Sequence, residues 1–142
     1  MREPYTQLFV HVVWSTWDRL PLLTKGLRER VYACIQAECK AMGARVHGIG
    51  GTEDHVHVLV QMPTTVSVAI LVKQMKGSSS HLVNHELRSA PEFKWQGGYG
   101  AFTVSKSVGK TVREYIMNQE AHHRLGTTSR DMEVAWEEKE GD

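Results

Sequence analysis

The chain has 142 residues, of which 41% are hydrophobic and 23% charged, and its formal net charge is +1. That length suits one ordinary domain with enough apolar residues for a core, and the composition excludes a disordered polymer. No apolar run approaches the ~20 residues of a membrane span, and Met1 to Tyr5 lacks the apolar stretch of a signal peptide, so a cytoplasmic protein with no membrane partner is expected.

The net charge conceals an asymmetry. From Asp131 onward six acidic residues face one lysine, Lys139, which leaves residues 1–130 with sixteen basic against ten acidic residues, or +6. A basic body suits a phosphate-bearing partner, and a solvated surface would look similar. The division expected is a domain over residues 1–126 and a short acidic tail over 127–142.

Residues 5–14 are rich in β-branched and aromatic types and read as a first strand; His11 lies inside it and is given no ligand role. Residues 15–24 form a loop with Thr24 as N-cap of a helix, whose stripe is Leu27, Val31, Cys34, Ile35 and Met42 and whose end is Gly43. Cys34 and Cys39 share this helix without metal-type spacing, which points to reduced thiols. Residues 44–50 read as a second strand that pairs antiparallel with the third across a turn at residues 51–54.

That third strand, Thr52-Glu53-Asp54-His55-Val56-His57-Val58-Leu59-Val60, alternates apolar and polar types until Met62-Pro63 ends it. Successive side chains of a strand point to opposite faces, so His55 and His57 share one face and Val56, Val58 and Val60 the other. Two imidazoles at this spacing can close on one metal ion, or can merely sit at a half-buried surface.

Ser67 or Thr65 caps a second helix, with Val68, Ile70, Leu71 and Met75 buried, then Leu82 and Val83 beyond an interruption at Gly77–Ser80. Lys73 and Lys76 fall on its polar side, a solvated face or a phosphate contact. Residues 91–98 are a loop or irregular strand, and residues 99–105 a further strand. Phe93, Trp95, Tyr99 and Phe102 stand beside Lys94 and Lys106, which fits core packing or a stacking platform for single-stranded nucleic acid.

A last long helix runs from Ser107 to Arg124, with Gly126 as its stop. Val108, Val112 and Ile116 face the sheet, and Tyr115 and Gln119 stack on the adjoining stripe with His122 a turn further on. This order of elements is an α+β plan, a ferredoxin-like or RRM-like antiparallel sheet with helices packed on one face. In it His55, His57, Tyr115 and Gln119 could converge, and no Ser-His-Asp set, phosphate-cradling loop or cysteine zinc site competes with them.

These residues also carry a family likeness. His55-Val56-His57 resembles the His-hydrophobe-His motif of HUH endonucleases, and Tyr115-Ile-Met-Asn-Gln119 resembles the tyrosine helix of their smallest members. From Tyr5 to about Arg124, including Trp95-Gln-Gly-Gly-Tyr99-Gly-Ala-Phe102, the chain is similar to the single-tyrosine transposases of IS200-like insertion sequences and to REP-associated tyrosine transposases.

The resemblance implies a transposase acting on single-stranded DNA that recognises hairpin ends. His55, His57 and Gln119 would hold Mg²⁺ or Mn²⁺, and Tyr115 would be the catalytic nucleophile, forming a 5′-phosphotyrosine without a nucleotide cofactor. A homodimer is implied, with active sites that combine His and Tyr of different subunits. Lys73, Lys76, Lys94, Trp95, Tyr99 and Lys106 are the candidate DNA contacts. Two other classes remain open on the residues alone: a non-catalytic module that binds single-stranded or hairpin nucleic acid, and a metal-dependent phosphodiesterase that uses activated water.

Overall fold

A computed structural model of the protein describes residues 4–88 and 92–119; the acidic tail, His122 and the expected helix end at Arg124 lie outside them. Among the described residues the regular elements follow in the order β1 (Phe9–Ser15), α1 (Lys25–Ala41), β2 (Arg45–Gly51), β3 (His55–Gln61), α2 (Val68–His81), β4 (Gly100–Val104) and α3 (Gly109–Met117). The strands form one sheet in the order β2-β3-β1-β4, every neighbouring pair antiparallel. This is the ferredoxin-like arrangement, with β1 and β3 at its centre. None of these helices is long and apolar enough to cross a membrane.

Directly opposed residues of an antiparallel pair point to the same side, so the β1–β3 register assigns the faces. Val10, Val12 and Trp14 lie opposite Val60, Val58 and Val56, whereas His11, Val13 and Ser15 lie opposite Leu59, His57 and His55. The valine face is the main core. Val31, Ile35 and Cys39 of α1 recur every four residues and close it together with Leu71, Val72 and Met75 of α2. Each such buried side chain contributes roughly 1.5–3 kcal/mol. Burial pushes the Cys39 thiol up to about 12, and both cysteines are free thiols, as expected. Gly43 takes a φ of +80° directly after α1, where its lack of a Cβ lets the chain turn back into β2.

In α2, Ser67 is the cap, its hydroxyl accepting a bond from Ile70 N–H at 3.1 Å. Starting there, the helix buries the line Leu71, Met75, Ser79 and Val83, so Ile70 turns outward at 52% exposure instead of joining the stripe. Nor does Gly77–Ser80 interrupt it. The Ser79 hydroxyl donates to the Met75 carbonyl at 2.7 Å, and the helix passes straight into a π turn at Leu82–Glu86.

This end of α2 fastens the segment before β4. Trp95 donates its indole N–H to Ser79 Oγ at 2.9 Å, Asn84 brackets the backbone of Phe93, and Lys76 Nζ donates to the carbonyls of Gln96 and Gly98. Lys76 is therefore half-buried structure and not part of a solvated polar face, and burial lowers its pKa.

Among the described residues α3 is the helix that packs on the opposite face, so the helices do not share one side as the sequence pattern suggested. Leu59, Val112 and Ile116 form a small second core there, flanked by Phe9 and Val104. Two glycines let α3 lie close. A Cβ at Gly48 would come 3.1 Å from Arg113 Cγ, and one at Gly50 would overlap the Ile116 carbonyl oxygen. Val108, expected to face the sheet, is exposed, because a 3₁₀ turn at Lys106–Val108 precedes α3 and delays the helix to Gly109. Gly50→Ala should therefore push α3 outward and cost about 1–3 kcal/mol, read as a lower urea midpoint with the far-UV spectrum retained.

Candidate active site

β3 presents His55 and His57 to α3 because its period of two turns the intervening valines into the main core. α3 presents Tyr115, and Gln119 follows just beyond the helix, which closes at Asn118. The four side chains meet within one chain, whereas the resemblance implied active sites that combine His and Tyr of different subunits. Gln119 Oε1 lies 3.1 Å from His55 Nε2, the His55 and His57 rings are 5.1 Å apart, and the Tyr115 ring stands edge-on to His57 at 6.1 Å. All four are buried, Tyr115 the least at 8% exposure.

One acidic and one polar neighbour orient His55. Its Nδ1 lies 2.8 Å from Asp54 Oδ1 and 2.9 Å from Thr52 Oγ1. A carboxylate can only accept, so His55 donates Nδ1–H to Asp54 and turns Nε2 to the site. Burial alone would raise the Asp54 carboxyl. The hydrogen bond and charge of His55, with Arg19 and Thr52, outweigh it and hold Asp54 below the usual carboxylate range.

Gln119 is oriented as well, its Nε2 donating to the Tyr115 carbonyl at 3.4 Å so that Oε1 faces His55. His55 Nε2 and Gln119 Oε1 face each other at 3.1 Å, joined by a proton on Nε2 or, once that proton leaves, able to share one cation. Their 3.1 Å separation also matches the edge of an octahedron whose ligands lie ~2.1 Å from a small divalent ion. The donor set thus fits such an ion, though among the described residues no group of three His, Cys, Asp or Glu side chains forms a metal cluster.

His11 proves to be part of the site. It is 1% exposed, its Nε2 is 2.8 Å from His57 Nδ1, and the two rings stack at 5.0 Å. One of these nitrogens donates to the other, which fixes the plane of His57. His11 sits on β1, and only the strand register brings it beside β3. Asp54 had a plainer sequence signal, as the residue immediately before His55.

The remaining candidates scatter. Lys73 and Lys76 belong to α2, across the sheet from the histidines. Trp95 is core, edge-on to Trp14 and Phe93, so its faces are packed by protein; Tyr99 is half-buried against the same cluster. Lys94 Nζ sits 4.0 Å over the exposed Trp17 ring, and Lys106 is exposed in the turn before α3.

Against this geometry stand the comparisons with known proteins. The model of the family described as "Transposase IS200 like" matches residues 4–119. The chain belongs to that family. It is 27% identical over 122 residues to the IS200 transposase of Salmonella typhimurium strain LT2, covering 82% of this chain and 79% of that one, and equally to the IS200 transposase of Salmonella typhi. Among solved structures, one described as a candidate transposase from Deinococcus radiodurans R1 superposes with a TM-score of 0.66 at 22% identity, over 84% of this chain and 95% of that one. A REP-associated tyrosine transposase bound to a REP hairpin superposes with a TM-score of 0.63 at 11% identity, over 90% of this chain and 74% of that one. This transposase is accordingly a DNA-processing enzyme of insertion-sequence type, and its fold is the one those structures share.

The His11 bond yields a stability prediction. His11→Phe keeps a stacked ring and leaves a buried His57 nitrogen without its bond, which should cost about 1–3 kcal/mol; His11→Gln should lose less, both measured by urea unfolding.

Proposed function

We propose that the protein cleaves and rejoins single-stranded DNA through a covalent bond to Tyr115. The observation that carries this reading is the meeting, within one chain, of a phenol with two oriented imidazoles and a carboxamide at the β3–α3 contact. His55, His57 and Gln119 would hold a divalent ion, Mg²⁺ or Mn²⁺. When bound, it would supply Lewis-acid polarisation of the scissile phosphate.

The protein's own groups do the rest. The Tyr115 oxygen attacks phosphorus in line, the bond from phosphorus to the 3′ oxygen breaks, and the phenolic proton is balanced by the proton the departing 3′-hydroxyl takes up. The fragment 3′ of the cut remains on the protein through its 5′-phosphate, as a phosphotyrosine. Bond energy is conserved, so no nucleotide cofactor enters, and attack by a 3′-hydroxyl at another junction reverses the step as strand transfer. An ordinary phenol has a pKa near ~10, so Tyr115 must lose its proton in the course of the reaction. Because the four groups are buried, a phosphate that reaches them must displace part of what covers them.

Membership of the transposase family supports the reaction class, and the hairpin held by the REP-associated relative supports a hairpin-bearing substrate. One tyrosine makes one covalent link at a time, so joining two ends calls for two copies, and we expect a homodimer in the cytoplasm.

Incubation with 5′- and 3′-labelled oligonucleotides from the DNA flanking its gene, with and without Mn²⁺, tests the reading. A denaturing gel should show a metal-dependent protein band carrying the label 3′ of the cut, and Tyr115→Phe should abolish it while binding persists. Retarded but uncut DNA for every flank would instead make the protein a binding module. His57→Ala and Gln119→Ala should weaken cleavage in a way that extra Mn²⁺ partly restores, and Asp54→Ala should lower Mn²⁺ affinity about 10–100-fold. Cleavage by the wild type in the presence of a chelator would remove the ligand assignment.

A further inference from the structure

One step along β3 from His57, on the same face of the sheet, a cavity of about 220 Å³ opens over Leu59. Phe9 and His47 line it as half-buried rings, edge to face with centroids 5.3 Å apart, and His47 Nε2 lies 2.9 Å from Gln61 Oε1, which holds that ring in place. Lys106, Lys110 and Arg113 line it too, from the turn before α3 and its first turns. All three cations are exposed, and none has a carboxylate in salt-bridge range among the described residues. Three other cations, by contrast, are engaged: Lys76 on two carbonyls, Lys94 on Trp17 and Arg19 beside Asp54.

We infer that this cavity is a nucleotide subsite, taking one base of the DNA strand against Phe9 and His47 while Lys106, Lys110 and Arg113 hold the adjoining phosphates. The inference rests on the single-stranded DNA reading above. Its chemistry is mixed in a way that selects the ligand. An apolar occupant would leave three cations without counter-charge, and a simple anion would leave two rings and Leu59 without a use. A nucleotide uses both, since every base has a π-face and every linkage a charge.

Position supplies the second argument. Leu59 follows His57 by two residues, about 7 Å along the strand, so a chain whose phosphate meets Tyr115 and His57 passes the cavity with a neighbouring unit. α3 carries Lys110 and Arg113 together with Tyr115, so the base held here would set the phosphate's position against the nucleophile.

Fluorescence anisotropy with labelled single-stranded oligonucleotides from the flanking DNA, at several salt concentrations, tests this. The double variant Lys106→Ala/Lys110→Ala should bind more weakly, and its log-affinity against log-salt slope should fall by about 1.4, or ~0.7 per phosphate contact. Phe9→Leu keeps apolar bulk without a ring; it should lose about tenfold in affinity with the slope unchanged. One abasic position near the cut should weaken binding to the wild type and not to Phe9→Leu. Lys40→Ala, on the exposed end of α1, controls for general charge.

Unchanged affinity and slope in both cavity variants, with wild-type DNA binding and adduct formation intact, would overturn the subsite and leave the reaction standing. Tight binding of dTMP with no abasic-position effect would make the cavity a free-nucleotide site and overturn the strand assignment. A wild type that binds no strand at all would overturn the DNA reading itself.

Discussion

The site depends on how closely α3 can approach the sheet. Gly50 leaves bare backbone under the Ile116 carbonyl, and Gly48 does the same under Arg113. Ile116 is the residue after Tyr115 and lies three before Gln119, so wherever that one contact sits, the phenol and the carboxamide follow. A side chain at Gly50 would raise the helix as a body, and one at Gly48 would have to push aside the Arg113 side chain. His55 and His57 would keep their places, because their strand is fixed from the other face by Val56, Val58 and Val60. The two halves of the site are thus anchored independently, β3 in the main core and α3 by a glycine-floored contact that, among the described residues, centres on Leu59, Val112 and Ile116.

Proton positions then follow from charge. Asp54 commits the Nδ1 proton of His55, which turns Nε2 toward Gln119. The Tyr115 carbonyl commits the amide of Gln119, which turns its oxygen toward His55. A proton on Nε2 joins the two in a hydrogen bond, and a cation could take its place. The Tyr115 carbonyl, at the end of the tyrosine's helix, therefore helps prepare the electronegative side of the site.

The sequence made β3 legible because alternation is a local property: two histidines and three valines at period two need no partner strand to be assigned to faces. The pairing of Tyr115 with Gln119 four residues on was legible for the same reason, although the helix expected to run unbroken closes at Asn118 and Gln119 lies just past it. What depended on pairing was not. His11 looked like any histidine in an apolar strand, and only the β1–β3 register sets it against His57. In α2, Gly77–Ser80 has poor helix propensity, but tertiary contacts through Ser79 to Trp95 override it. The phase of a helix is as hard to read: a 3₁₀ turn ahead of α3 put Val108 outside, and Ile70 faces outward because Ser67 set the start. Lys76 and Trp95 looked like a cation and a stacking ring for a ligand, yet a long amphipathic stem and an indole serve a core equally well, and here their polar ends close hydrogen bonds of the protein itself.

That distinction bears on how the basic body is used. An excess of +6 over residues 1–130 suggests a diffuse attraction for phosphate, but the fold spends several of those charges internally. Lys76 is half-buried on carbonyls, Lys94 covers Trp17, and Arg19 helps hold the Asp54 carboxylate that orients His55. The cations at the start of α3 are different, being exposed and without carboxylate partners among the described residues. Partnered charges lose little when salt rises, whereas cations that meet phosphate release counterions on binding. Among the described residues three such cations stand on the tyrosine's helix and the turn before it, so on the reading proposed above the force that draws a strand in also acts near where it would be cut.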